Sequence, residues 1–158
     1  MSNNKIITIG LISDTHGLVR PEVMTAFKGV DRIIHAGDID QPQVLEALEE
    51  IAPVRTVRGN MDYGRWAQKL PLADTIEIEG LFLHVLHDLQ RMGLDPLAGD
   101  ISAVISGHTH RPLIEEKQGI IYINPGSAGY GRSGQPVTVA RLSISRSKLA
   151  AEIIELKC

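Results

Sequence analysis

The chain has 158 residues, 43% of them apolar and 22% charged, with a formal net charge of -3. That is about one domain with enough apolar side chains for a full core, and it excludes a chain-wide basic footprint for nucleic acid and a polybasic membrane anchor. No apolar run is long enough to cross a bilayer, the N-terminus Met1 to Lys5 lacks a signal-peptide pattern, and the single cysteine, Cys158, rules out a disulfide within the chain. These features predict one domain over residues 1–158 in a reducing, cytoplasmic compartment, with no membrane partner.

The run Ile6 to Ile12 is β-branched and nearly continuous, as in a strand buried on both faces. It ends in Ser13-Asp14-Thr15-His16-Gly17. A short helix follows, with Pro21 near its first turn, Val23 and Phe27 on one face and Gly29 as a stop. Arg32 to Ala36 reads as a second strand and runs into Gly37-Asp38. Pro42 opens a helix with a Val44, Leu45, Leu48, Ile51 stripe, and Val54 to Val57 is a third strand leading to Arg58-Gly59-Asn60-Met61-Asp62. The β-α-β-α-β order predicts a right-handed parallel start. Thr75 to Glu79 and Leu81 to Leu86 read as two further strands, the latter ending at His87-Asp88. A short helix is expected around Asp95 to Leu97. Ala103 to Ile105 then leads to Ser106-Gly107-His108-Thr109-His110. Strands at Leu113 to Lys117, Ile120 to Ile123, Val137 to Ile144 and Leu149 to Leu156 complete the chain. The expected fold class is α/β, with two sheets packed together and helices outside.

Open α/β sheets place their chemistry at the carboxyl ends of strands. Five strand ends here carry metal-competent residues: Asp14 with His16, Asp38, Asn60, His87, and His108 with His110. Any one of these motifs is equally a surface turn, because Asp and Gly favour turns for local reasons. Together they offer imidazole, carboxylate and amide donors that suit Mn²⁺, Fe, Zn²⁺ or Ni²⁺ better than Ca²⁺. The set is too large for one ion. Two ions need a shared ligand such as Asp38, and a pair of cations roughly 3.5–4 Å apart clamps both oxygens of an in-line displacement at phosphorus. A water shared by the pair would be acidified into a hydroxide nucleophile.

Asp-x-His-Gly, Gly-Asp, Gly-Asn-x-Asp, a strand-end His and Gly-His-x-His, in this order, resemble the calcineurin-like metallophosphoesterase superfamily, and the short chain resembles its small bacterial and archaeal phosphodiesterase branch. The resemblance covers Asp14 to about Arg132. It implies a four-layer αββα sandwich of two mixed sheets flanked by helices. It implies that Asp14, His16 and His110 hold one divalent ion, that Asn60, His87 and His108 hold the other, and that Asp38 bridges, with Mn²⁺ as the first expectation. Asp38 and Asn60 are thereby expected to be catalytic as well as ligating, with Asp62, the acid of the Gly-Asn-x-Asp motif, supporting catalysis from outside the ligand shell. Asn124-Pro125-Gly126-Ser127 resembles a further segment of the family. The implied activity is metal-dependent hydrolysis of a small phosphodiester, and relatives that form dimers or tetramers make a homo-oligomer an open expectation. Nucleic acid is not an expected substrate, since nothing supplies a capping domain or a long basic surface.

Two departures bear on the chemistry. Met61 stands where many members have His, a residue that protonates the leaving group or touches phosphate. Methionine does neither, and general-acid help is worth about 10²–10⁴-fold. Asp88 stands where Gly often follows the strand-end His. Arg58, Arg111 and Arg132 lie beside motifs and are candidates to offset phosphate charge, although surface arginines are common. His35 reads as a core histidine with a hydrogen-bond partner, with support of the metal site as the lesser alternative, and His84 as structural or exposed. Two other functions stand beside the phosphodiesterase: a phosphomonoesterase or protein phosphatase on the same site, and a non-catalytic scaffold of the same fold.

Overall fold

The computed structural model describes residues 5–129 and 135–158. The first apolar run becomes β1 (Ile7–Ile12), the middle strand of a five-stranded sheet ordered β10-β9-β1-β2-β3. β2 (Arg32–His35) and β3 (Val54–Thr56) run parallel to it, as the βαβ pattern requires, while β9 (Thr138–Ser145) returns antiparallel and pairs with β10 (Lys148–Glu155). The second sheet is ordered β4-β5-β6-β8-β7, from β4 (Ala73–Ile78), β5 (Leu81–Leu86), β6 (Ile101–Ile105), β7 (Leu113–Lys117) and β8 (Ile120–Asn124). Its three inner strands are parallel and its two edges antiparallel, so both sheets are mixed.

Strand alternation decides which layer each residue joins. Ile7, Ile9 and Leu11 point between the sheets, where they pack with Ile34, Ile76, Leu83, Val85, Ile105, Ile123 and Leu142. Ile12 and Ile33 face outward under α1 (Pro21–Ala26) and α2 (Pro42–Glu49), against Val23, Phe27, Val44 and Leu48. Pro at the first turn presets φ for both helices. Phe27 is fully buried, its ring lying over Gly10, where a Cβ would be 2.9 Å from it. The outer layer of the second sheet is thin. Leu86, Ile101, Val104 and Ile120 are covered by Phe82, Met92, Leu94 and Tyr122 rather than by an α-helix. The helix expected at Asp95 to Leu97 is a turn; the one helical turn of that connection is a 3-10 turn at Leu89–Arg91, capped by Asp88, whose carboxylate accepts the Gln90 amide. Three-residue spacing cannot separate a capped turn from a helix in sequence. The architecture is thus an α/β sandwich, and among the described residues no helix is long and apolar enough to cross a membrane.

The order of strands explains how distant motifs meet. β1, β2 and β3 of one sheet and β5 and β6 of the other all end at the same edge of the sandwich, and each runs straight into one of the five motifs.

Candidate metal centre

The loops after β1 and β2 are joined like a continued ladder. Asp14 N–H donates to Gly37 O (3.0 Å), His16 N–H to Asp38 O (3.1 Å) and Gly17 N–H to Ile39 O (2.8 Å). The β5 and β6 ends join through Gly107 N–H to His87 O (2.9 Å), and the two sheets are tied where His108 N–H donates to Asp14 Oδ2 (3.1 Å) and His87 Nδ1–H to Ala36 O (2.8 Å). Close packing here needs glycine at several points, Gly59 and Gly107 among them. A Cβ on Gly59 would collide with the Asp38 amide nitrogen and carboxylate, and one on Gly107 with the Ser13 hydroxyl and Asp14 carboxylate.

The backbone of this edge is strained. Asp14 (φ 53°), His16 (47°), Asp38 (59°), Asp40 (71°), His108 (73°) and His110 (63°) all adopt left-handed conformations. Each costs on the order of 1–3 kcal/mol and persists only where surrounding bonds over-determine it. The Asp62 carboxylate supplies much of that determination. It accepts four backbone amides, from Gly59 (2.7 Å), Ile39 (2.8 Å), Asp40 (2.9 Å) and Asp38 (3.1 Å). Burial pushes the Asp62 carboxyl up, against the amides that favour its anion. Asp62 therefore acts on the loop that presents Asp38, and both its oxygens are engaged away from the other acids.

The inner donors converge. Asp14 is fully buried; its Oδ2 accepts the Ser13 hydroxyl (2.6 Å) and the His108 amide, leaving Oδ1 free. Asp14 Oδ1 lies 3.2 Å from His110 Nε2 and 3.9 Å from both His16 Nε2 and His87 Nε2. Asp38 Oδ1 is occupied by the Met61 amide (2.8 Å), so Oδ2 faces inward, 3.2 Å from His87 Nε2 and 3.9 Å from His16 Nε2. Among the described residues, two groups have the compactness to hold an ion: Asp14 with His16 and His110, and Asp14 with Asp38 and His87. Asp14 belongs to both, and Asp38 Oδ2 also lies between the two histidines of different groups. Among the described residues, Asp14 Oδ1 and His87 Nε2 are buried with no hydrogen-bond partner. Such atoms are costly unless something polar answers them. A carboxylate lone pair and an imidazole lone pair aimed at one space, with Nδ1–H of His87 fixed on a carbonyl, fit a divalent cation. Burial works to lower the His87 pKa, but the Asp38 and Asp14 carboxylates and the Ala36 carbonyl raise it overall. Burial likewise works to raise Asp38, and His87 and the Met61 amide bring it below the usual carboxylate range.

Asn60 and His108 stand at the mouth. Both are exposed, and Asn60 Oδ1 lies 3.3 Å from His108 Nδ1. The His108 ring meets that of His87 edge-on, with centroids 5.2 Å apart. All the candidate ligand residues read from sequence thus reach one edge, in an inner group that is buried (Asp14, Asp38, His87) or half-buried (His16, His110) and an exposed outer pair. The outer pair opens into a cavity of about 540 Å³ that Arg58, Leu72, Leu86 and Arg91 help to line. A second cavity of about 550 Å³, lined in part by Arg111, Leu113 and Tyr122, shares Asp88 and His108 with the first. Arg58 and Arg111 therefore border the site on two sides, and Arg132 lies outside the described residues.

Sequence reasoning missed four contributors. Met61 acts through its backbone, while its side chain is 44% exposed. Asn124 shapes the two-histidine loop by donating Nδ2–H to Gly107 O (3.0 Å) and Thr109 Oγ1 (3.1 Å). Ser13 holds Asp14, and Asp40 approaches His16. His35 is buried, as a core histidine should be, but its partners belong to the metal loops. Its Nδ1 accepts the Gly37 amide (3.0 Å), its Nε2–H faces Thr15 Oγ1 (3.0 Å), and that hydroxyl donates to Ile39 O (3.3 Å). Burial lowers its pKa to about 3, so the ring is neutral. His84 is buried as well and bonds Thr75 Oγ1 (2.9 Å) across the β4–β5 pair, away from the centre.

Comparison with known proteins gives a consistent answer. Residues 7–147 match the model of the calcineurin-like phosphoesterase superfamily domain. A Methanothermobacter thermautotrophicus protein named "Probable metallophosphoesterase" is 40% identical over 161 residues, spanning 92% of this chain and 91% of that one. A Methanocaldococcus jannaschii protein named as a phosphodiesterase is 28% identical, over 93% of this chain and 99% of its own. Among solved structures, Vacuolar Protein Sorting 29 from Cryptosporidium parvum shares the fold with a TM-score of 0.76 at 17% identity, covering 97% of this chain and 99% of that one.

Proposed function

Because the chain belongs to the calcineurin-like phosphoesterase superfamily, we propose that it is a metal-dependent phosphodiesterase with a two-ion centre. As a member of that family it is a phosphoric ester hydrolase; the finer reading concerns which ester and how. Asp14, His16 and His110 would hold one ion and Asn60, His87 and His108 the other, with Asp38 between them. The donor set suits Mn²⁺ first and Fe, Zn²⁺ or Ni²⁺ next. Such a pair, when bound, supplies Lewis acidity toward phosphoryl oxygens and acidifies a shared water. The observation that carries the reading is the pair of buried, unpartnered atoms, Asp14 Oδ1 and His87 Nε2, facing the same space as Asp38 Oδ2 and the other imidazoles.

The protein's own residues then divide the work. Asp62, His35 and Asn124 hold the loops, so the inner donors need no rearrangement to bind, which is the preorganisation that makes electrostatic catalysis effective. Arg58 and Arg111 flank the mouth and offset phosphate charge from either side. Cavities on both sides of His108 give room for the two organic groups of a diester. Met61 offers no proton to a leaving oxygen, so a small diester with a good leaving group is the favoured substrate. The single cysteine, which leaves no disulfide within the chain, supports a cytoplasmic setting.

The test is to add Mn²⁺ to chelator-treated protein and compare an aryl phosphodiester with an aryl phosphomonoester. Metal-dependent turnover, faster on the diester, is expected; no metal-dependent turnover of either overturns the proposal. The scaffold alternative has only likeness of fold in its favour, whereas this chain retains the full ligand set.

A further inference from the structure

We propose that Asp40 is a positioning residue that fixes the His16 imidazole for the ion it shares with Asp14 and His110. The inference rests on the two-ion reading and adds a residue that no ligand motif contains. Asp40 Oδ2 lies 3.3 Å from His16 Nδ1. With Nδ1–H donating to that carboxylate, the ring's free lone pair is on Nε2. That atom is the one turned inward, 3.9 Å from Asp14 Oδ1, 3.9 Å from Asp38 Oδ2 and 3.5 Å from His110 Nε2.

Asp40 is itself held for this task. Its amide donates to Asp62 Oδ1 at 2.9 Å, its backbone is left-handed at φ 71°, and its Oδ1 is buried with no hydrogen-bond partner among the described residues. The carboxylate is thus positioned by the Asp62 clamp and turned onto His16. A backbone that costs energy and a buried oxygen left unanswered are hard to account for as loop packing alone.

The two sides of the centre then differ in kind. His87 is oriented by a neutral carbonyl, that of Ala36, whereas His16 is oriented by an anion. A carboxylate partner raises the basicity of a ligating imidazole and fixes its tautomer, and loss of such a partner typically costs 10–100-fold in metal affinity. Asp40 therefore strengthens the ion on the Asp14, His16, His110 side selectively.

The experiment titrates metal-free full-length protein with Mn²⁺ by calorimetry, comparing wild type with Asp40→Asn and Asp40→Gly. Both replacements tolerate positive φ, so the loop is not strained by the change. The expected result is a loss of roughly 10–100-fold in one of two binding steps, with the other step within about twofold, and a smaller loss for Asn, which keeps an acceptor. In a His16→Ala background Asp40→Asn should add nothing, which a general structural role would not produce. Unchanged steps, equal loss in both, or full additivity with His16→Ala overturns the inference. Should neither variant fold, ¹⁵N-histidine NMR of the wild type decides. His16 is expected as the Nδ1–H tautomer with and without Zn²⁺, and the Nε2–H tautomer in both states overturns the claim. A wild type that binds no metal would defeat the two-ion reading, while the metal-free tautomer still reports on Asp40.

Discussion

Asp14, Asp38 and His87 are buried and each is held by hydrogen bonds on the atom that does not face the centre, whereas the side chains of Asn60 and His108 stand exposed at its mouth and meet each other. The difference teaches how such a centre is built. The inner donor atoms are positioned by folding, through the bonds that hold their neighbouring atoms. The outer donors border the cavity at the mouth, where the proposed function would have substrate enter.

Substitutions should separate the halves. The largest effect is expected inside. Asp38→Asn removes the charge between the two ion positions and should lower metal-dependent turnover on the order of 10³-fold, with fewer metal equivalents retained by elemental analysis. Outside, His108→Ala or Asn60→Ala should weaken one binding step by at least the roughly 10–100-fold that loss of a supporting partner costs. The other step is kept, because none of Asp14, His16 and His110 is held by these side chains. Calorimetry showing both steps lost together would erase the distinction.

His35 sharpens the comparison through pH. Its folded pKa lies near 3, below the unfolded value of 6.5. The unfolded chain therefore binds the extra proton first, and stability that is complete above pH 6.5 falls as pH drops toward 3. Between pH 6.5 and 5 the loss amounts to roughly 2 kcal/mol. Urea midpoints of wild type and His35→Gln, compared across that range, should show a shallower slope for the variant. The smallest effect is expected at the mouth. Met61→His, on a half-exposed side chain, should raise the phosphomonoester rate about tenfold, less than full general-acid help because the ring is not pre-positioned. Steady-state rates on monoester and diester check it, and equal rates with wild type would remove Met61 from the account of leaving-group preference.

Much of the fold was legible. Leu81–Leu86 and Leu113–Lys117 fall at the bounds read from the strand-forming runs and the breaks between them, and Pro21 and Pro42 open the helices they were expected to open. The misplaced helix near Asp95 shows the limit, since a short polar connection carries no periodicity to read. At the site, the candidate donors could be picked out because metal chemistry restricts residue type, and the fold brings them to one edge. The roles of Asp40, Asn124 and His35 were not, because each depends on a partner in another loop.

By itself, the sequence determined the donor types, their order and the strand ends that carry them, since local pattern and chemical preference are properties of neighbouring residues. Only the tertiary structure decided which donor atoms are free, which histidine leans on an anion and which on a carbonyl, and where the centre opens to solvent. Those outcomes depend on contacts between segments that fold closure alone brings together, such as the 94 positions separating His108 from Asp14.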